Sequence, residues 1–179
     1  RYPEVTVELE LNDQLVDIVA DGYDLVLRAS DRLPDSSFVS RKLTSVDIVT
    51  IVAPNYLKKW GMPRSPDDLV HHRTINFRST VNQNIWQYQD EDGRQSTVKV
   101  ESHLITNSAE MGLALCKSAQ GIARVPKLIL TDEIEKGDLV FLFNEFMPVT
   151  ADIFLIYPNR KYLSSTVRSF IDFIVENIE

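Results

Sequence analysis

The sequence predicts an α/β fold in two lobes, on three observations. Strand-like and helix-like stretches alternate along most of the chain, and the longest apolar runs are short and rich in β-branched residues. The last strand and helix are needed to complete the sheet begun by the first segments. The chain therefore crosses between lobes twice, near 52–54 and 146–152, which predicts a hinge and a cleft. The expected lobes are residues 1–53 with 151–179, and residues 54–150.

The elements follow in order. "VTVELEL" (5–11) sets Val5, Val7, Leu9 and Leu11 against Thr6, Glu8 and Glu10, a period of two that predicts an edge strand with one wet face. "NDQLVDIVADG" predicts a short helix capped by Asn12 or Asp13, with a stripe of Leu15, Ile18 and Val19 and a stop at Gly22. "YDLVLR" (23–28) is then a strand, and a helical crossover makes it parallel to the first. "RLPDSS" (32–37) is a surface loop, and "VDIVTIVAP" (46–54) a strand covered on both faces.

From Pro54 a short helix leads through a Gly and Pro turn to a second helix start, with Ser65 as cap and Pro66 in the first helical position. "TINFRS" (74–79) predicts a strand. "IWQYQ" and "STVKVE" predict a hairpin turning at Asp92-Gly93. "ITNSAEMGLALCKSAQGIARVP" (105–126) reads as strand, polar cap, helix, glycine stop and strand. A short helix from Pro126, a turn at Gly137 and a strand from Leu139 complete this lobe. "ADIFLIYP" is another strand, and the last helix gathers Leu163, Val167, Phe170, Ile171, Ile174 and Ile178 on one face.

Composition narrows the function. At 179 residues and 44% apolar content the chain can bury a sizeable core. A net charge of -7 with scattered basic residues argues against a nucleic-acid surface, which needs a concentrated basic patch. The single cysteine, Cys116, excludes an internal disulfide and favours a reducing compartment. No apolar run approaches the ~18 residues of a membrane helix. "RYPEV" lacks an initiator methionine and starts as if cut from a longer chain.

Machinery for catalysis is not visible. His71 and His72 are adjacent and would diverge by about 100° on a helix, unlike an i, i+4 metal pair. His103 is isolated, no Gly-x-Ser-x-Gly elbow occurs, and Cys116 falls inside a helix. The carboxylates of "QDEDG" and "TDEIEKG" sit in predicted turns. No enzyme activity, catalytic residue, cofactor or metal is expected.

The strings "YPEVTVEL", "DIVADGYDLVLR", "DSSFVSRKL", "VAPNYLKKWGMPRSPDDLVHH", "ITNSAEMGLAL", "QGIARVP", "KGDLVFLF" and "IYPNRKYLSSTVRSFIDFI" run through nearly the whole chain in order. Together they resemble the effector-binding domain of LysR-type transcriptional regulators. The resemblance implies a two-lobe, periplasmic-binding-protein-like (type II) α/β fold with a small-molecule effector in the cleft. It also implies DNA contacts made only by a winged helix-turn-helix ahead of this segment, a homodimer or tetramer, no membrane contact and a cytoplasmic location. Dimer surfaces are expected at strand 5–11 and at the C-terminal helix. Two departures stand out: family domains usually begin with a further strand and helix before "YPEV", and Gln120 stands where the family often has a glycine.

In doubly wound sheets ligands bind beyond the carboxyl ends of parallel strands, which points to Asn12 and Asp13 in one lobe and to Asn107 and Ser108 in the other. Asn107 followed by Glu110 resembles a capping box, which alone would account for the pattern; its free amides could equally attract an anion. Arg78, Ser79 and Thr80 follow a strand, where a guanidinium could grip a carboxylate in two-pronged fashion. Arg124 lies within "GIARVP" and is open between ligand binding and a structural ion pair. The effector is therefore expected to be anionic. The competing reading is an exported solute-binding protein of a transport system, told apart by whether the gene opens on a signal peptide or a helix-turn-helix. An unrecognised enzyme ranks last.

Overall fold

The computed structural model describes residues 2–11, 17–29, 38–78, 84–159 and 163–178. The chain forms two compact units, residues 1–45 with 151–179 and residues 46–150.

In the first unit, β1 (Val26–Ala29) pairs antiparallel with β9 (Val149–Pro158), and β9 neighbours β2 (Phe38–Val52). Lys42 and Ser45 of β2 both meet the Asp152 carboxylate of β9, each at 2.7 Å. Helix α3 (Ser165–Asn177) starts at Ser164, whose hydroxyl accepts from the Val167 amide. Of its predicted apolar face Ile171 is buried, Val167, Phe170 and Ile174 are half-buried, and Ile178 is exposed.

Two expectations fail in this unit. Residues 5–11 form no strand: Val7, Leu9 and Leu11 are all exposed, and among the described residues no strand pairs with the segment to receive its backbone hydrogen bonds. An alternating pattern specifies a strand only where a sheet exists to pair with it. The parallel pairing inferred for "YDLVLR" fails with it, because β1 finds β9 and runs antiparallel. Of the predicted helix, residues 12–16 lie outside the described residues. Residues 18–22 are a turn in which Asp17 Oδ1 accepts from the Val19 and Ala20 amides, closed by Gly22 at φ +80°.

The second unit is a sheet with two dissimilar covers. Strand β2, β7 (Ile122–Pro126), β3 (Thr74–Phe77) and β6 (Ser102–Thr106) lie in that order, and β8 (Val140–Leu142) also pairs with β2. Strands β3, β6 and β7 run parallel, whereas β2 is antiparallel to β7 and β8. Residues 46–52 of the predicted run thus form the C-terminal part of a strand that begins at Phe38, while Ala53 caps α1 and Pro54 starts it.

Alternation along the strands sorts the two faces. Ile51, Ile75, Ala123 and Val125 pack with Cys116 of helix α2 (Ala109–Lys117). Val52, Ile122 and Leu142 pack instead with Trp86, Tyr88 and Val98 of the hairpin β4 (Ile85–Gln89) and β5 (Gln95–Lys99). That hairpin turns with Gly93 at φ +80°, as predicted. Helix α1 (Pro54–Trp60) and the short 3-10 helix Pro66–His71 close the hairpin side, the second with Asp68 Oδ2 accepting from the Ser65 amide at 3.1 Å.

A buried carboxylate steadies the segment after β7. Glu133 Oε2 accepts from the Thr131 amide at 2.9 Å, and Oε1 accepts from Lys117 Nζ at 3.2 Å. Its own and the Thr131 amide, more than Lys117, hold its pKa at about 2. A depressed carboxylate pKa contributes stability that is complete above the unfolded value, near 4.5, and fades as pH falls toward 2. Urea unfolding of Glu133→Gln against the wild type should therefore show a clear deficit at pH 7 that shrinks steadily below pH about 4.5.

Candidate functional site

Four of the eight candidate residues, Asn12, Asp13, Ser79 and Thr80, lie outside the described residues. Arg78, Asn107, Ser108 and Arg124 all belong to the second unit. The structure separates them into two places.

Arg78 directly follows β3, and its amide donates to Thr106 O of β6 at 2.6 Å. The parallel ladder thereby carries Arg78 directly beside Thr106, Asn107 and Ser108, at the carboxyl ends of two parallel strands. Its side chain is exposed and has no partner among the described residues.

The cap lies one residue later than expected. Ser108, not Asn107, is the N-cap of α2, with Oγ accepting from the Met111 amide at 3.1 Å and donating to Glu110 Oε2 at 2.9 Å. Thr106 Oγ1 accepts from the Ser108 amide at 3.1 Å, which fixes the entry of the chain. Glu110 stands second in the helix, where its own amide and the Ser108 hydroxyl lower its pKa. It cannot complete the reciprocal capping box read from Asn107. The helix start is already served by this protein carboxylate, so what the strand ends offer an outside anion is the Arg78 guanidinium.

Arg124 is elsewhere, on the hairpin face of β7. In the antiparallel register it stands opposite Thr50. Its guanidinium lies over the Trp86 and Tyr88 rings, 5.6 and 5.3 Å from their centroids, and Nε is buried without a hydrogen-bond partner. Burial lowers its pKa, opposed by Tyr88. It opens on a hollow of about 180 Å³ that none of Arg78, Asn107 and Ser108 lines.

Thr50, Trp86, Tyr88, Phe143 and Phe146 escaped the sequence reading. Two signals were present: Trp86 and Tyr88 alternate onto one face of "IWQYQ", and Arg124 is a charge inside the apolar strand "IARVP". His72 is buried with Nδ1 3.3 Å from Tyr56 Oη, and burial lowers its pKa. Among the described residues no three His, Cys, Asp or Glu side chains group as metal ligands. Cys116 is buried, and desolvation pushes its thiol up to about 12.

The LysR substrate binding domain model matches residues 1–179. The chain belongs to this family. An uncharacterized HTH-type transcriptional regulator of Haemophilus influenzae is 36% identical over 163 residues, covering 91% of this chain and 56% of that protein. The HTH-type transcriptional activator TtdR of Escherichia coli K12 is 30% identical over 175 residues, covering 97% of this chain and 56% of the activator. The chain thus spans a little over half the length of the curated relatives it matches.

Among solved structures, the CrgA regulatory domain, a LysR-type transcriptional regulator from Neisseria meningitidis, is 28% identical with a TM-score of 0.75, over 90% of this chain and 78% of that one. Full-length AphB of Vibrio cholerae superimposes with a TM-score of 0.82 over 99% of this chain and 60% of that one; at 23% identity it shows the fold alone. The LysR-type regulatory domain is a two-lobe, periplasmic-binding-protein-like α/β fold, as the sequence predicted. The family is one of binding domains in transcriptional regulators, not of enzymes. Among the described residues no helix is long and apolar enough to cross a membrane.

Proposed function

We propose that this LysR-type domain senses a small anionic effector and serves as the dimerising, regulatory part of a cytoplasmic DNA-binding regulator, with residues 46–150 and residues 1–45 with 151–179 as its lobes. The observation that carries the anionic reading is Arg78, an exposed guanidinium with no partner among the described residues, its backbone held beside Thr106 at the ends of two parallel strands. A carboxylate docking there gains charge-assisted hydrogen bonds and shares a strand-end position typical of doubly wound sheets.

On this reading DNA contacts belong to a part of the protein outside residues 1–179, in keeping with the acidic charge of -7. Binding then shifts the population of regulator conformations through its different affinity for each. A thermal-shift screen of aliphatic acids, aromatic acids and amino acids tests the proposal. A true effector at about 100 times its Kd adds about 2.7 kcal/mol of stability. Its midpoint gain should be roughly 5–10 °C. Acids without effect, beside neutral compounds that do stabilise, would refute the anionic reading.

A further inference from the structure

We infer that His72 is a pH-sensitive latch: as the neutral ring it accepts the Tyr56 hydroxyl and pins helix α1 to the entry of β3, and on protonation it lets the hydroxyl go. The device lies within residues 46–150 alone. It needs no effector and is independent of the role given to Arg78.

The direction of each hydrogen bond follows from what the atoms can do. Tyr56 is 1% exposed, so its hydroxyl proton needs a partner inside the protein. Its oxygen already accepts from the Arg73 amide at 2.8 Å. Among the described residues the acceptor within reach of the proton is His72 Nδ1, at 3.3 Å. A ring nitrogen accepts only while it carries no proton, which puts the single proton of neutral His72 on Nε2. The bonds thus run in one direction, from the Arg73 amide to the Tyr56 oxygen and from the Tyr56 hydroxyl to the His72 ring.

A second proton on His72 reverses the last link. Nδ1 becomes a donor facing a donor, so either the Tyr56 proton loses its acceptor in a buried place or the rings move apart. A stack carries the change outward. The Tyr56 ring lies 5.9 Å from the His72 ring and 6.2 Å from Trp60, and the Arg73 guanidinium covers Trp60 at 4.6 Å. Trp60 is 40% exposed and has room to shift.

The surrounding charges set when the latch opens. Burial opposes the added proton most strongly, Asp68 of the 3-10 helix favours it and His71 opposes it, which together hold the His72 pKa below the ordinary 6.5. The Arg64 and Ser65 amides, at 2.7 and 3.1 Å, keep Asp68 ionised. Arg73 and Lys59 both direct their cations onto Trp60. From the hairpin, the residues packed with Tyr56 and Leu69 are the uncharged Trp86, Val98 and Val100, while Lys99 is exposed. A depressed histidine pKa contributes stability that is complete above about 6.5 and is lost as pH falls below it, so the latch is closed at neutral pH and opens in acid.

NMR of the native chain between about pH 8 and pH 5 tests this. Imidazole nitrogen spectra, with His72 assigned by its loss in His72→Asn, should show Nδ1 unprotonated at about pH 7.5 and titrating below about 6.5. The Arg73 amide signal and the fluorine line of Trp60 in fluorotryptophan-labelled protein should move with the same midpoint. His72→Asn, which retains a side-chain acceptor and has no proton to gain, should abolish that movement. Tyr56→Phe removes the donor to the neutral ring and should raise the His72 midpoint by roughly half a unit to one unit. It also decides the outcome should His72→Asn fail to fold. A proton on Nδ1 at about pH 7.5 overturns the inference. So does an Arg73 amide or Trp60 line that stays still through the His72 titration or still moves in folded His72→Asn, and so does an unchanged His72 midpoint in Tyr56→Phe.

Discussion

Gly121→Ala should lower the thermal midpoint by roughly 4–12 °C, corresponding to about 2–3 kcal/mol. A Cβ at this position would stand 2.8 Å from Arg73 O and 3.2 Å from Ile75 Cγ1. The obstacle is backbone, and the same carbonyl accepts the Ile122 amide at 2.9 Å, so relief would break the link that starts β7 beside β3. Gly112→Ala is the control. It lies within α2, a new Cβ there would meet nothing nearer than Thr106 Cγ2 at 3.7 Å, and alanine favours the helix by up to about 1 kcal/mol. Opposite signs in differential scanning calorimetry are expected; equal losses would contradict close backbone approach as the reason for Gly121.

Tyr56→Ala should cost about 3–5 kcal/mol in chemical denaturation. The Tyr56 ring is 1% exposed and stacks 6.2 Å from Trp60, over which the Arg73 guanidinium also sits at 4.6 Å. The hydroxyl accepts from the Arg73 amide at 2.8 Å and lies 3.3 Å from His72 Nδ1. Tyr56→Phe isolates the hydroxyl and should cost about 1–3 kcal/mol, because the Arg73 amide loses its acceptor. A neutral Tyr56→Phe would mean that water replaces the bond.

Much of the second unit was legible because its signals are local. The Asp92-Gly93 hairpin, Pro54 and Pro66 at helix starts, and the almost continuous apolar run from Val46 each depend on a few adjacent residues. Residues 5–11 show the opposite case. Their alternation is regular, yet a strand is a relation between segments, and Val7, Leu9 and Leu11 stay exposed with no strand paired to them among the described residues.

The candidate site divides along the same line. Arg78 was legible as a residue following a strand, and the parallel register with β6 supplies its neighbours. The cap shifted from Asn107 to Ser108 because either side chain can cap, and the Thr106 hydroxyl selects between them by holding the Ser108 amide. Gln120, where the family often has glycine, does not carry the strained backbone: Ala119 does, at φ 58°. The amides of Ala119 and Gln120 close the end of α2 onto Cys116 O and Leu115 O. The hollow at Arg124 depends on contacts among β2, β4, β7 and the 143–149 segment, which no local pattern encodes.

The most direct test of effector sensing at the strand ends is calorimetric titration of the best-stabilising acid into native protein and into Arg78→Ala. Saturable binding to the native protein, weakened about 10–100-fold by a variant that keeps its thermal midpoint, is the predicted result. Equal affinity in the folded variant would contradict the role assigned to Arg78.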